Sequence, residues 1–121
     1  MYSEKVIDHF KNPRNMGALE GATVEAEVGN PVCGDIMKVY LKILDNRIEE
    51  AGFETMGCVA AIATSSMMTE LAKGKTVDEA LKISFDDILK ELGGLPDPKV
   101  HCSQLAVEAL HKALKKYKET A

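Results

Sequence analysis

Five residues of this chain combine a type and a placement that can do chemistry: Cys33, Asp35, Cys58, His101 and Cys102. Each cysteine falls where one predicted element gives way to another, not inside an apolar stripe. Cys33 lies in Asn30-Pro31-Val32-Cys33-Gly34-Asp35, a loop leading into a predicted strand. Cys58 follows Gly57 at the start of an apolar, helix-like run. Cys102 follows Pro96-Asp97-Pro98-Lys99-Val100-His101 at the start of the last predicted helix. An isolated intracellular cysteine is ordinarily a small buried hydrophobe. A thiol at a helix start is different, because the unpaired N–H groups and the helix dipole there favour thiolate.

The neighbouring residues suit a metal. Asp35 is two positions beyond Cys33, so in extended chain both side chains leave the same face. His101 is adjacent to Cys102. Thiolate, imidazole and carboxylate are the donors that tetrahedral zinc and iron–sulfur units take. The cysteines are 25 and 44 positions apart, with no C-x2-C pair, so no zinc-finger spacing is present. The plain alternatives are an Asp35 that caps a turn beside Gly34 and a His101 that hydrogen-bonds at the helix start. His9 and His111 lack cysteine neighbours and read as surface or helix-packing residues. Five donors then compete for four positions. Three thiols with a hard carboxylate oxygen or an imidazole hold iron and sulfide less firmly than four thiolates, which favours release. A spare thiol can also take sulfur from a persulfide by exchange.

Around these residues the chain has the size of one domain, 121 residues, with 45% hydrophobic and 28% charged residues, in the range of globular proteins. Its net charge of −4 argues against nucleic acid as the main partner. No apolar run approaches the ~20 residues of a membrane helix, and no secretory signal is visible. An odd number of cysteines without paired spacing points to free thiols in a reducing, cytoplasmic compartment.

The elements that must position the five donors follow from periodicity. Ser3 caps a first helix that ends at Asn12-Pro13-Arg14-Asn15. Val24, Ala26 and Val28 alternate with Glu25 and Glu27 as a strand. Met37, Val39, Leu41 and Ile43 form a clearer second strand, and Asp45-Asn46 is a tight turn into a third, Arg47 to Met56. The alternation slips near Ala51-Gly52, which predicts a bulge there. Cys58 to Ala72 reads as a central buried helix closed by Gly74. Thr76-Val77-Asp78-Glu79 has capping-box form, and Ser84-Phe85-Asp86-Asp87 opens another short helix ending at Gly93-Gly94. Leu105, Ala106, Ala109, Leu110, Ala113, Leu114 and Tyr117 form the stripe of a final helix, whose lysines read as a solvated face. The expected fold class is α+β: a three-stranded antiparallel sheet packed against four to five helices in a single domain, residues 1–121.

Four segments carry a family resemblance. Ser3-Glu4-Lys5-Val6-Ile7-Asp8-His9-Phe10 with Asn12-Pro13-Arg14-Asn15, and Asn30-Pro31-Val32-Cys33-Gly34-Asp35, resemble the IscU/NifU-like iron–sulfur scaffold proteins. So do Phe53-Glu54-Thr55-Met56-Gly57-Cys58-Val59-Ala60-Ala61-Ile62-Ala63-Thr64-Ser65-Ser66 and Lys99-Val100-His101-Cys102-Ser103. The resemblance implies a non-enzymatic scaffold that receives sulfur from an IscS/NifS-like cysteine desulfurase together with iron. It would assemble a [2Fe–2S] cluster and pass it to apo-proteins. Cys33, Cys58 and Cys102 would be ligands and sulfur acceptors, with Cys102 the lead persulfide acceptor. His101 or Asp35 would complete the site, and Asp35 would keep the cluster labile. A frataxin-like protein or a ferredoxin, a cluster-bearing homodimer, and zinc in the cluster-free form belong to the same set of implications. The segment Leu95-Pro96-Asp97-Pro98-Lys99 departs from the Leu-Pro-Pro-Val-Lys that many bacterial members present to a dedicated Hsp70-type chaperone, so that partner is not carried over. The short segment before the third cysteine, and His101 itself, align the chain with the IscU branch. The rival is the SufU branch, a zinc-binding sulfurtransferase.

Overall fold

Alternating apolar side chains build the sheet. In the computed structural model β1 (Val24–Asn30), β2 (Asp35–Leu44) and β3 (Arg47–Met56) pair antiparallel in that order. The structure describes residues 2–30, 35–56, 59–94 and 97–120, and for Asn30, Asp35, 97–103 and Thr120 the backbone alone. Val24, Ala26, Met37, Val39, Leu41, Ile43, Ile48, Ala51 and Phe53 are buried on one face. Burying each larger one contributes about 1.5–3 kcal/mol. Asp45 and Asn46 take φ of 52° and 62°. Two consecutive left-handed residues are what a two-residue hairpin turn requires, and asparagine and aspartate tolerate that conformation. The bulge lies slightly earlier than the alternation suggested. Lys42 pairs with Glu50 and Ile43 with Ile48, which leaves Glu49 as the extra residue. That insertion lets Ile48 and Ala51 both face inward across a three-residue step.

The described residues form five helices, α1 (Glu4–Lys11), α2 (Val59–Ala72), α3 (Val77–Leu81), α4 (Phe85–Leu92) and α5 (Asp97–Thr120); α2 and α5 lie on the sheet, and α1, α3 and α4 pack on those two. This is the expected α+β arrangement. Ser3 caps α1 through the Val6 N–H at 3.2 Å; the predicted capping box forms at Thr76/Glu79, and a second one forms at Ser84/Asp87, where a helix start was expected. α2 is the central helix. Its buried hydroxyls satisfy themselves: Thr64 donates to the Ala60 carbonyl and Ser65 to the Ala61 carbonyl, each at 2.7 Å.

The turn after α1 ties three elements together. The Arg14 N–H donates to Ser66 Oγ at 2.8 Å, and Asn15 Nδ2 donates to Thr69 Oγ1 at 3.1 Å, docking the turn on α2. The same turn then pairs with the free edge of β3. The Phe53 N–H donates to the Asn15 carbonyl at 3.0 Å, and the Gly17 N–H to the Phe53 carbonyl at 2.7 Å. His9 is buried at the α1–α2 contact, so it is a packing residue. His111 Nε2 lies 2.9 Å from the Ile83 carbonyl and likewise packs a helix.

Candidate metal and sulfur site

The strand register brings the flanks of two cysteines to one end of the sheet. Asn30 pairs with Asp35, so β1 ends and β2 begins there. Ile36 pairs with Met56, so β3 ends there as well. The link 31–34 carrying Cys33 and the link 57–58 carrying Cys58 therefore join elements at the same end, opposite the Asp45–Asn46 turn. Cys33 and Cys58 themselves lie outside the described residues.

α5 points its N-terminal end the same way. Lys112 Nζ donates to the Glu27 carbonyl at 2.9 Å and Lys116 Nζ to the Glu25 carbonyl at 3.2 Å. Moving toward the start of α5 thus means moving along β1 toward Asn30. At the other end Lys118 pairs with Asp78 of α3 at 2.8 Å, and Thr76, just before α3, bridges to Arg47 at the start of β3. All three cysteine-bearing segments consequently attach to one end of the molecule.

The start of α5 corrects one expectation. The helix begins at Asp97, not beside Cys102, which puts His101 and Cys102 in its second turn. Pro98 fits the first turn because its missing N–H is one that no intrahelical carbonyl would have used. The dipole's influence falls off within the first turn, so a thiolate at Cys102 does not draw on an open helix end as the sequence suggested. Asp35 is the first residue of β2. The side chains of Asp35, His101 and Cys102 lie outside the described atoms. Among the described residues no group of three or more His, Cys, Asp or Glu stands together as a metal site.

The surface around this end is described. Glu27, Lys38 and Glu54 stand side by side across the three strands on the outer face. Lys38 also approaches Glu25 at 3.6 Å and lies 5.3 Å from the Tyr40 ring centroid, while the Tyr40 hydroxyl donates to Glu54. The Tyr40 contact, then Glu25, hold the Lys38 ammonium above its usual pKa. The hydrogen bond to Glu54, then burial, raise the Tyr40 phenol. Beside this row a shallow cleft of about 430 Å³ is lined by Glu27, Ile36, Lys38, Glu54, Thr55 and Met56. Met56 is 74% exposed and Ile36 42%, an apolar pair immediately next to the cysteine-bearing links. Spacing in the sequence gave no sign of this pair, since both residues continue a strand alternation on its outward phase.

The donor set itself fits iron and sulfide. Thiols are the soft ligands that iron–sulfur units take, and a carboxylate or an imidazole is a harder, weaker donor for them. Among the described residues no helix is long and apolar enough to cross a membrane.

Comparison with known proteins accords with this reading. The model of the NifU-like N terminal domain matches residues 1–121. The chain is 61% identical over 117 residues to the iron–sulfur cluster assembly scaffold protein IscU 1 of Archaeoglobus fulgidus, covering 97% of this chain and 76% of that protein. It is 50% identical over 121 residues to the scaffold protein IscU of Escherichia coli K12, covering 97% and 94%. A solved structure of a candidate iron–sulfur cluster assembly scaffold for the SUF system, from Fervidobacterium islandicum AW-1, superposes with a TM-score of 0.78 at 27% identity, over 93% of this chain and 96% of that one. With residues 1–121 matched and the relatives similar over nearly all of this chain, this chain belongs to the NifU-like N-terminal domain family.

Proposed function

We propose that this protein is a scaffold on which iron–sulfur clusters are assembled before transfer to apo-proteins. The observation that supports the reading is that β1 ends, β2 begins and β3 ends at one end of the sheet, toward which the start of α5 also runs. These elements and the links between them hold every candidate donor. The cluster is cargo, so it is bound to be given away. Cys33, Cys58 and Cys102 supply three thiolates, and Asp35 or His101 supplies a fourth, weaker donor. Such a set keeps a [2Fe–2S] unit without committing four thiolates to it.

Sulfur arrives by exchange. A Cys102 thiolate attacks the terminal sulfur of a persulfide carried by a cysteine desulfurase, and the desulfurase cysteine leaves as thiolate. Reducing that sulfur to sulfide takes two electrons, which a ferredoxin-like donor would provide. Carriage of this kind belongs in a reducing cytoplasmic compartment, where thiols stay free. Nothing in it requires the chain to act as an enzyme beyond accepting sulfur.

Anaerobic purification followed by reconstitution with a desulfurase and ferrous iron tests the reading. Iron and acid-labile sulfide in equal amounts, visible absorbance, and transfer to an apo-ferredoxin are expected. Tight zinc with no cluster under those conditions would replace the scaffold with a zinc-dependent sulfurtransferase of the SufU kind.

A further inference from the structure

Two lysines of α5 reach the outer edge of β1, which is an edge strand of the sheet. The other edge, on β3, is covered by backbone: Asn15 and Gly17 pair with Phe53, and the Ile48 N–H donates to the Lys75 carbonyl at 2.8 Å. On β1 the outward carbonyls of Glu27 and Glu25 receive Lys112 Nζ and Lys116 Nζ instead. The two spacings match. Four residues of helix advance about 6 Å and two residues of strand about 6.6 Å, so both ammonium groups meet their carbonyls at one setting of the helix.

That setting is directional. Glu108 is the next residue up the same row of α5, four before Lys112. A slip of one turn, about 5.4 Å, that drew the start of α5 back from the sheet end would put the Glu108 carboxylate near the Glu27 carbonyl and leave Lys116 without its own. Two attractive contacts would become one attractive and one repulsive. The consequence reaches the far end of the helix. Cys102 lies ten residues before Lys112, about 15 Å along the axis, while Asn30 lies about 10 Å beyond Glu27 along β1. The Cys102 turn therefore stands about 5 Å past the end of β1.

We propose that Lys112 and Lys116 are positioning residues, fixing the register of α5 on β1 and so the height of the Cys102 turn. The proposal rests on the reading of Cys102 as a working thiol. It is tested in reduced, cluster-free protein with a short bis-maleimide, comparing by peptide mass mapping the Cys33–Cys102 link with the Cys33–Cys58 link. The second link is an internal reference, because the lysines' bonds to Glu27 and Glu25 are to β1 and neither Cys33 nor Cys58 lies on α5. K112A/K116A lowers the ratio about threefold, and K112R/K116R, which keeps a donor on a long stem, restores it. An unchanged ratio in the double alanine variant, or no recovery with arginine, overturns the proposal. Should the double variant lose its helical circular dichroism, K112A and K116A singly are read in the same way, each giving part of the drop. Because no cluster is present, failure of the scaffold reading shows separately, as wild-type protein that gives the expected ratio yet assembles no cluster.

Discussion

His9 Nδ1 lies 2.7 Å from Ser66 Oγ inside the contact between α1 and α2. Ser66 Oγ also accepts the Arg14 N–H at 2.8 Å, so one hydroxyl joins the imidazole to the turn after α1. Burial, then the nearby Arg14 guanidinium, push His9 below its ordinary value of 6.5. Asp8 and Glu70 pull the other way and do not prevail.

A pH dependence follows from that direction. Once pH falls below 6.5 the unfolded chain takes the His9 proton before the folded one does, so the contribution of neutral His9 is whole above that pH and is lost as pH falls toward the depressed folded value. Asp8, Asp78, Glu79 and Asp87 are also depressed, from ordinary values of 3.8 or 4.5, so their losses come only at lower pH. Urea midpoints should therefore fall between about pH 7.5 and 5.5, and His9→Asn should flatten that slope. A slope of the same size in His9→Asn would assign the effect to other groups. Ser66→Ala, which strips the partly buried Arg14 N–H of its acceptor and the buried His9 imidazole of its partner, should cost about 1–3 kcal/mol at neutral pH.

A second stability prediction concerns the covered edge of β3. A Cβ added at Gly52 would stand 3.0 Å from the Gly17 carbonyl oxygen and 3.5 Å from that of Asn15. Both are backbone atoms of the segment that pairs with Phe53, so they cannot swing away as a side chain could. Gly52→Ala should destabilise by about 1–3 kcal/mol, more than the ~0.4–1 kcal/mol returned by stiffening the unfolded chain. An unaltered urea midpoint would show that the Asn15–Gly17 segment yields at no cost.

These relationships differ in how far the sequence discloses them. Met37 to Ile43 alternate cleanly, and Asp45-Asn46 is turn chemistry, so the hairpin is legible from local preference alone. The bulge at Glu49 is less so, because alternation registers a slip without saying which strand pairing absorbs it. Asp97 and Pro98 read as loop, since proline breaks helices in general but is welcome in a first turn. Pairing of Asn15–Gly17 with Phe53, and of Lys112 and Lys116 with β1, joins residues tens of positions apart and leaves no periodic trace. The donors are recognisable by type and by their places between elements. That the elements flanking them share one sheet end depends on strand register, which the sequence alone does not spell out.

Asp35 is the donor whose removal should help the protein hold its cargo. It opens β2 at the end where β1 and β3 finish. A hard oxygen at that corner weakens retention of a soft iron–sulfide unit. Asp35→Ala should lengthen the lifetime of the reconstituted cluster several-fold, read as slower decay of visible absorbance and slower transfer to an apo-ferredoxin. A variant that assembles no cluster would instead make Asp35 an indispensable ligand.

Cys102 is the acceptor to test by mass. Exchange needs a thiolate within reach of the donor persulfide, and each sulfur gained adds about 32 Da to the intact protein. With Cys102 in the second turn of α5, its thiolate cannot rely on the open N–H groups of the first turn, so positive charge or hydrogen bonding from its surroundings must supply the activation. Treatment of wild-type protein with a desulfurase and cysteine should add sulfur at Cys102, located by peptide mapping. Cys102→Ser should remove that addition or move it to Cys33 or Cys58, and the fold should persist because serine nearly matches cysteine in volume. Equal loading at an unchanged rate in Cys102→Ser would show that one of the other two thiols receives the sulfur first, leaving Cys102 as a cluster ligand alone.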